Sequence, residues 1–248
     1  MSLRIDDVIP DLTVETDRGV FSLHEWIDAS WAILFSHPKD FTPVCTTEFS
    51  AVAKLEREWE KRGTKVIGVS VDNVDDHVLW KADIASFEGC IPDFPIIADT
   101  TLAVSKAFDM LPSEAYLPDG RTPNDTATVR SVFIIDPDNK LRLSMTYPVN
   151  VGRNFAEVLR ALVGLQLASS RGVATPADWQ AGQDVIIPTV INDKDAEKKF
   201  GPFECATECA PSLNLFSLGT RPKTERHRGR ESTKSVCRVP SNVYPLFP

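Results

Sequence analysis

The stretch WAILFSHPKDFTPVCTTEF, residues 31–49, decides the fold. Its first six residues form a continuous apolar run, which is typical of a strand buried on both faces of a sheet. From Cys45 onward the spacing changes, because Phe49, Val52 and Trp59 fall near helical spacing with charged residues between them. The sequence therefore predicts a buried strand that leads directly into a helix, with Cys45 in the first turn of that helix.

The flanking segments continue the alternation of strand and helix. In chain order the pattern predicts a strand at 31–36, a helix at 45–62, a strand at 65–72, a helix at 74–87, a strand at 94–97, a helix at 101–110, a hairpin at 128–148 and a helix at 154–168. Alternation followed by an antiparallel hairpin indicates an α/β fold with a mixed central sheet flanked by helices. Thioredoxin-like folds have this order of elements, which several other α/β folds share.

Composition divides the chain into three parts. Residues 1–168 carry the alternating pattern and are predicted to form the main domain. Residues 169–200 are punctuated by proline and contain one short apolar run, so they are interpreted as a smaller C-terminal extension that packs on another surface, with a second subunit as one candidate. Residues 201–248 hold six prolines, seven Lys or Arg against four Glu, and no periodicity. They are predicted to be a disordered basic tail.

The totals exclude several classes of function. A net charge of −8 over 248 residues argues against general binding to nucleic acid. No segment approaches the ~20 apolar residues of a membrane-spanning helix, so no integral membrane association is expected. The N-terminal sequence MSLRIDDVIPDL has the features of neither a signal peptide nor a transit peptide. We therefore expect a cytoplasmic protein.

Cys45 has the local setting of a reactive thiol. The first turn of a helix offers unpaired N–H groups and the positive end of the helix dipole, both of which favour a thiolate. Thr42 can direct its hydroxyl into the same space, and Pro38 stiffens the loop and shields the sulfur. A nearby cation is also needed, for which Arg130 in the predicted strand TVRSVFIID is the first candidate and Arg153 in VGRNF the second.

Two other interpretations of Cys45 compete with this one. A cysteine in a helix is most often a small buried apolar residue. A metal site is not expected, because no Cys or His lies two to four residues from Cys45. The spacing of Pro38, Thr42 and Cys45 at a strand-to-helix junction, with an arginine in a later strand, favours the reactive thiol.

The motif PKDFTPVCTTE resembles the active-site signature of the peroxiredoxins. With VGRNF and RGVATPADW downstream, the likeness to their one-cysteine, peroxiredoxin-6 type runs from about Ile5 to Phe200. The resemblance implies a thioredoxin-like fold with a C-terminal extension, usually in a homodimer. It also implies a thiol peroxidase without a cofactor, acting on hydrogen peroxide and organic hydroperoxides, with phospholipid hydroperoxides as a further candidate.

The resemblance assigns roles to the residues of the motif. It makes Cys45 the peroxidatic cysteine, which attacks the peroxide and becomes a sulfenic acid. It makes Thr42 the residue that holds the peroxide, Arg130 the residue that stabilises the developing charge, and Pro38 the shield of the sulfenate. It also places His37, Glu48 and Arg153 around the pocket. An ordinary capping or surface carboxylate remains the alternative for Glu48.

The resemblance also bears on the reductant. The sequence SVCRVP around Cys237 is only superficially like the resolving-cysteine context of the two-cysteine peroxiredoxins, and it lies beyond the matching region. We therefore expect an external thiol, glutathione or a similar compound, to reduce the sulfenic acid.

Two alternative functions remain open. The peroxiredoxin-6 type suggests a secondary phospholipase A2-like hydrolase, for which Ser30, His24 and Asp138 are the matching positions. The serine lies in DASWA, however, without the glycines of a strained nucleophile elbow, so we favour a loop-end serine, a surface histidine and a turn aspartate. The second alternative is a redox-sensing or chaperone-like binding protein that uses the sulfenic acid to change partners.

Overall fold

The computed structural model describes residues 3–116, 126–201, 204–206 and 236–239. The chain divides into two compact units, Met1–Leu162 and Val163–Pro248. The strands of the first unit are β1 (Thr13–Thr16), β2 (Gly19–Ser22), β3 (Trp31–Ser36), β4 (Thr64–Ser70), β5 (Ile96–Ala98), β6 (Arg130–Ile135) and β7 (Leu141–Tyr147). They form one mixed sheet in the order β2-β1-β5-β4-β3-β6-β7.

Six helices follow these strands in the sequence or connect them. They are α1 (Leu23–Ile27), α2 (Pro43–Lys54), α3 (Glu56–Glu60), α4 (Val74–Glu88), α5 (Ala103–Ala107) and α6 (Phe155–Arg171). A 3-10 turn covers Ser113–Tyr116. The boundary between the two compact units falls inside α6.

The centre of the sheet positions the loop that carries Cys45. Strand β3 pairs in parallel with β4 and antiparallel with β6, so Phe35 lies opposite Gly68 on one side and Val132 on the other. Because β3 is buried between two neighbours, its apolar run is continuous rather than alternating. The loop after β3 therefore leaves the middle of the sheet, and α2 begins at Pro43. The predicted mixed sheet with flanking helices is confirmed.

The helix predicted at 45–62 is wrong in one respect. The structure has two helices, α2 and α3, with Leu55 between them at φ −97° and ψ 7°. The indole Nε1 of Trp59 donates to the carbonyl of Val52, and the backbone N–H of Leu55 donates to the same oxygen. This local hydrogen bonding interrupts the helix. The N-terminal hairpin of β1 and β2 was not predicted from the sequence.

The second unit has its own small sheet. Strands β8 (Val185–Ile187), β9 (Glu204–Ala206) and β10 (Val236–Val239) are ordered β8-β10-β9, and α7 spans Asp193–Phe200. Two short segments of the tail predicted to be disordered are thus strands, because β10 pairs with β8, a partner that local composition does not reveal. Apart from Gly201, the rest of that tail lies outside the described residues.

No helix in the described parts of the chain is both long enough and apolar enough to cross a membrane.

Candidate active site

Cys45 lies in the first turn of α2. Thr42 is the N-cap residue and Pro43 follows it at the first helical position, so Cys45 is the third residue of the helix. The hydroxyl of Thr42 donates to the carbonyl of Lys39 at 3.0 Å and does not cap the helix through its side chain. Cys45 itself is fully buried. Its backbone position therefore places the sulfur near the positive end of a helix dipole.

A guanidinium from a distant strand lies beside the sulfur. Arg130 is the first residue of β6, and its Nη1 lies 3.3 Å from Sγ of Cys45. The same nitrogen donates to Oε2 of Glu48 at 2.7 Å, and Nε donates to the carbonyl of Val149 at 2.7 Å. Because three acceptors hold the buried guanidinium, its position beside the sulfur is fixed.

Glu48 connects the two arginines of the site. One turn after Cys45, it is only 3% exposed. Its Oε1 accepts from the backbone N and Nε of Arg153, and its Oε2 accepts from Nη2 of Arg153 and Nη1 of Arg130, all at 2.7–2.9 Å. Burial alone raises the pKa of Glu48, but the hydrogen bonds and charge of Arg153 and the charge of Arg130 outweigh it, so the pKa is lowered. Glu48 is not an ordinary capping or surface carboxylate.

Arg153 ties the site to two strands of the sheet. Its Nη1 donates to the carbonyls of Ser36, at the end of β3, and Ser131, in β6, at 2.8 Å each. Its guanidinium carbon lies 5.3 Å from the ring centroids of both Phe35 and Phe155, within the range of cation–π contacts. The two serine carbonyls were not predicted, since any residue type offers a backbone carbonyl.

The charged groups around the sulfur leave a net positive charge beside it. Arg130 and Arg153 bring two positive charges, and Glu48 offsets one of them. Burial keeps water from screening the attraction of the remaining charge for a negatively charged group bound next to the sulfur. The same guanidinium can stabilise negative charge that develops on an atom bound next to the sulfur.

His37 belongs to a second, adjoining group of buried polar residues. Its Nε2 lies 2.6 Å from Oδ1 of Asp40, and Nδ1 of His77 lies 2.6 Å from the other oxygen of Asp40. Asp72 accepts from the backbone N–H of Asp40 and from the hydroxyl of Ser70, both at 2.9 Å. Ligand atoms of His37, Asp40 and Asp72 lie within 4.8 Å of one another, and these hydrogen bonds account for that spacing.

Four members of this group, Asp40, Ser70, Asp72 and His77, were not predicted. Asp40 lies three residues after His37, a spacing that could have drawn attention to it. His77 lies in α4, 37 residues from Asp40, and no local pattern connects the two. Pro38, next to His37, is buried.

The three residues considered for a hydrolase are not joined as a catalytic triad. Nε2 of His24 bonds the backbone carbonyl of Ile9 at 2.8 Å. Ser30 is half-buried at the end of a turn, and Asp138 is exposed in the β6–β7 turn. Within the described part of the chain, no hydrogen bond joins the side chains of Ser30 and His24 or of His24 and Asp138. Ser30 and Asp138 thus lie in turns, whereas His24 is half-buried rather than fully exposed at the surface.

Comparison with known sequences identifies two matching regions. Residues 5–144 match the AhpC/TSA family, and residues 164–201 match the C-terminal domain of 1-Cys peroxiredoxin. A relative named "Peroxiredoxin PRX1, mitochondrial" from Saccharomyces cerevisiae is 46% identical over 204 residues, which is 81% of this chain and 77% of that protein. The second matching region ends at residue 201, the first residue of the C-terminal tail, and the first ends well before it.

Solved structures have the same fold. A cysteine-to-serine mutant of peroxiredoxin 6 from Arenicola marina aligns with a TM-score of 0.80 and 36% identity, covering 97% of this chain and 99% of that one. A yeast mitochondrial 1-Cys peroxiredoxin aligns with a TM-score of 0.76 and 38% identity, covering 96% and 100% of the two chains. The thioredoxin-like fold is thereby confirmed, and the chain belongs to the AhpC/TSA family, as a peroxiredoxin of the 1-Cys type.

Proposed function

We propose that Cys45 is the peroxidatic residue of a thiol peroxidase that reduces hydrogen peroxide and organic hydroperoxides, phospholipid hydroperoxides among them. The observation that carries the proposal is the 3.3 Å contact between Nη1 of Arg130 and the buried sulfur. A buried cysteine without a cation would be an inert apolar residue. Membership of the peroxiredoxins, which are thiol peroxidases, supports the same assignment.

The reaction is a displacement at oxygen. The Cys45 thiolate attacks the terminal oxygen of the hydroperoxide, so an S–O bond forms as the O–O bond breaks. Sulfur is oxidised to a sulfenic acid, and the departing oxygen gains the electron pair, takes up a proton and leaves as water or an alcohol. Arg130 stabilises the negative charge that moves from sulfur to the departing oxygen. Thr42 retains hydroxyl lone pairs that can accept from the O–H of the peroxide.

The sulfenic acid is then reduced by an external thiol. One thiol displaces water to give a mixed disulfide, and a second thiol releases the Cys45 thiol and leaves as a disulfide. Cys90, the other cysteine whose side chain is described, lies beside Ser50, with its Sγ 3.5 Å from the hydroxyl. The yeast 1-Cys structure is titled for thiol resolution through glutathione and thioredoxin systems, which supports glutathione or a similar thiol as the reductant here.

A cysteine exchange tests the proposal. Cys45→Ser should abolish hydroperoxide consumption, because a serine hydroxyl is neither ionised nor readily oxidised, while Cys90→Ser should leave it within twofold of wild type. Mass spectrometry after one equivalent of peroxide should locate the added oxygen on Cys45. Full activity in Cys45→Ser would overturn the assignment. Repeating the assay with glutathione, thioredoxin or no thiol identifies the reductant.

We further propose that the chain forms a homodimer and acts in the cytoplasm. Strand β7 is an edge of the seven-stranded sheet among the described strands, and an edge offers backbone groups to which a second copy can pair. Light scattering on the purified chain would detect the dimer. The yeast relative is named as mitochondrial, so cell fractionation should compare the two compartments. No observation favours the hydrolase or the chaperone-like alternative.

A further inference from the structure

Hydrogen bonds join three buried side chains, those of His37, Asp40 and His77, near the loop that carries Thr42. Asp40 bonds Nε2 of His37 through one oxygen and Nδ1 of His77 through the other, at 2.6 Å each. The second nitrogen of His77 lies 3.3 Å from the carbonyl of Ile97 in β5. All three side chains are at most 1% exposed. None of the three side chains bonds directly to the sulfur of Cys45 in the displacement described above.

The hydrogen bonds fix which nitrogen of His37 carries the proton. Burial alone raises the pKa of Asp40, but the bonds from His37 and His77 outweigh it and lower the pKa to about 2. An ionised carboxylate can only accept hydrogen bonds. Burial is the largest influence on His37 and lowers its pKa, so the ring is neutral at pH 7. His37 is therefore the Nε2–H tautomer, with the lone pair on Nδ1.

That lone pair is an unexplained buried acceptor. Nδ1 of His37 is buried and has no hydrogen-bond partner. A buried polar atom without a partner is costly and rare in folded proteins, and it is often a functional atom. The lone pair can accept from a substrate O–H or from water, but only while the proton stays on Nε2.

Aromatic contacts place the His37 ring close to the start of α2. The ring lies 4.7 Å from the ring of Phe49, which is one turn after Cys45. It also stacks at 4.9 Å on Trp80, whose Nε1 donates to the hydroxyl of Thr46, the residue after Cys45. The ring is thus held by side chains that contact the same helical turn as the sulfur.

We propose that Asp40 and His77 are positioning residues of the peroxidase site, with Asp40 holding His37 as the Nε2–H tautomer and Nδ1 of His77 donating to the other oxygen of Asp40. Nδ1 of His37 is then a preset hydrogen-bond acceptor at the start of the loop that leads from β3 to Thr42. This inference rests on the proposed function for its effect on rate, whereas the tautomer itself can be observed without any turnover.

The alternative is that the three residues only stabilise the loop. Asp40 also donates its backbone N–H to Asp72, and Thr128 donates its hydroxyl to the carbonyl of His37. Those bonds do not involve the imidazole and would survive a change in the side chain of Asp40. Two substitutions at this one position therefore separate the tautomer from loop stability.

The test combines nitrogen-15 NMR of the histidine rings with the rate constant for Cys45 oxidation by hydrogen peroxide. Wild type should show the proton of His37 on Nε2. Asp40→Ala removes the acceptor and should give a mixture of tautomers and a rate constant about tenfold lower or more. Asp40→Asn should rescue both, because its amide oxygen accepts from His37 and its NH2 donates to Nδ1 of His77.

A matched control is Asp99→Ala. Asp99 is also buried, but it accepts from the backbone N–H groups of Val104 and Ser105 at the start of α5. This variant should lose thermal stability as Asp40→Ala does, with the His37 spectrum and the oxidation rate unchanged.

Several results would overturn the inference. They are a wild-type spectrum with the proton on Nδ1, an Asp40→Ala variant with wild-type rate, and an Asp40→Asn variant that loses the tautomer or the rate. If Asp40→Ala does not fold, the wild-type and Asp40→Asn measurements still decide. A wild type that shows the expected tautomer but consumes no peroxide would refute the proposed function instead, and leave the hydrogen-bonded geometry in place.

Discussion

Removing the guanidinium beside Cys45 is the most direct perturbation of the site. In Arg130→Met the apolar stem is retained and the charge is lost. Glu48 keeps the three N–H donors of Arg153, so the buried carboxylate stays paired and the variant should fold. The sulfur loses its donor at 3.3 Å, and the carbonyl of Val149 loses its donor at 2.7 Å.

The size of the effect follows from the distance. Two unit charges 3.3 Å apart attract by about 5 kcal/mol at an effective dielectric constant of about 20. The guanidinium charge is spread over three nitrogens, so the useful part is smaller. Loss of one donor to developing negative charge typically costs ~2.7–4 kcal/mol, or ~100- to 1,000-fold in rate. We expect the rate constant of Arg130→Met for Cys45 oxidation to fall within that range.

Rapid-quench oxidation by hydrogen peroxide, with a sulfenic-acid reagent and mass spectrometry as the readout, measures this rate constant directly. Arg142→Met is the matched control, since Arg142 lies in β7 of the same hairpin and pairs with Asp6 and Asp136. That variant should react at the wild-type rate. An Arg130→Met rate constant within threefold of wild type, in a folded protein, would refute the argument that the guanidinium activates the sulfur.

Two further substitutions test the packing of the site. Glu48→Gln puts an amide NH2 against arginine donors. It should lower the free energy of unfolding, measured with urea at pH 7, by ~3–5 kcal/mol. Because the pKa of Glu48 is lowered in the folded state, its ionised form contributes fully to stability above about pH 4.5, and this contribution is lost as the pH falls. The free energies of unfolding of wild type and Glu48→Gln should therefore converge in acid. Gly68→Ala places a Cβ 3.0 Å from Cζ of Phe49. It should lower the free energy of unfolding, measured by thermal denaturation, by ~1–3 kcal/mol. Gly164→Ala, with no neighbour closer than 3.6 Å, should cost less.

The elements that could be predicted from the sequence are those with strong local patterns. The apolar run at residues 31–36 became β3 with the same bounds, and the periodic segment 74–87 became α4. Cys45 and Arg130 could be singled out because a proline-flanked cysteine at a strand-to-helix junction and an arginine in a buried strand are unusual residue types for their positions. Both signals are local.

The rest of the site depends on contacts across the chain. Nothing near His77 indicates that it meets Asp40, and the carbonyls of Ser36 and Ser131 have no residue-type signature at all. The break at Leu55 arises because the indole of Trp59 reaches back to Val52, which a helical pattern cannot reveal. Such features become visible only when strands and helices far apart in sequence are brought together.

The two arginines also tie reactivity to the completion of folding. Arg130 reaches a sulfur 85 positions earlier, and Arg153 reaches a carbonyl 117 positions earlier. Contacts of such long range form late, because chain closure over that span carries a large entropic cost. A chain still emerging from the ribosome, with β6 and Arg153 not yet made, therefore carries an ordinary thiol at position 45. We therefore expect the thiol of a newly synthesised chain to react more slowly with peroxide until β6 and Arg153 have been made and packed.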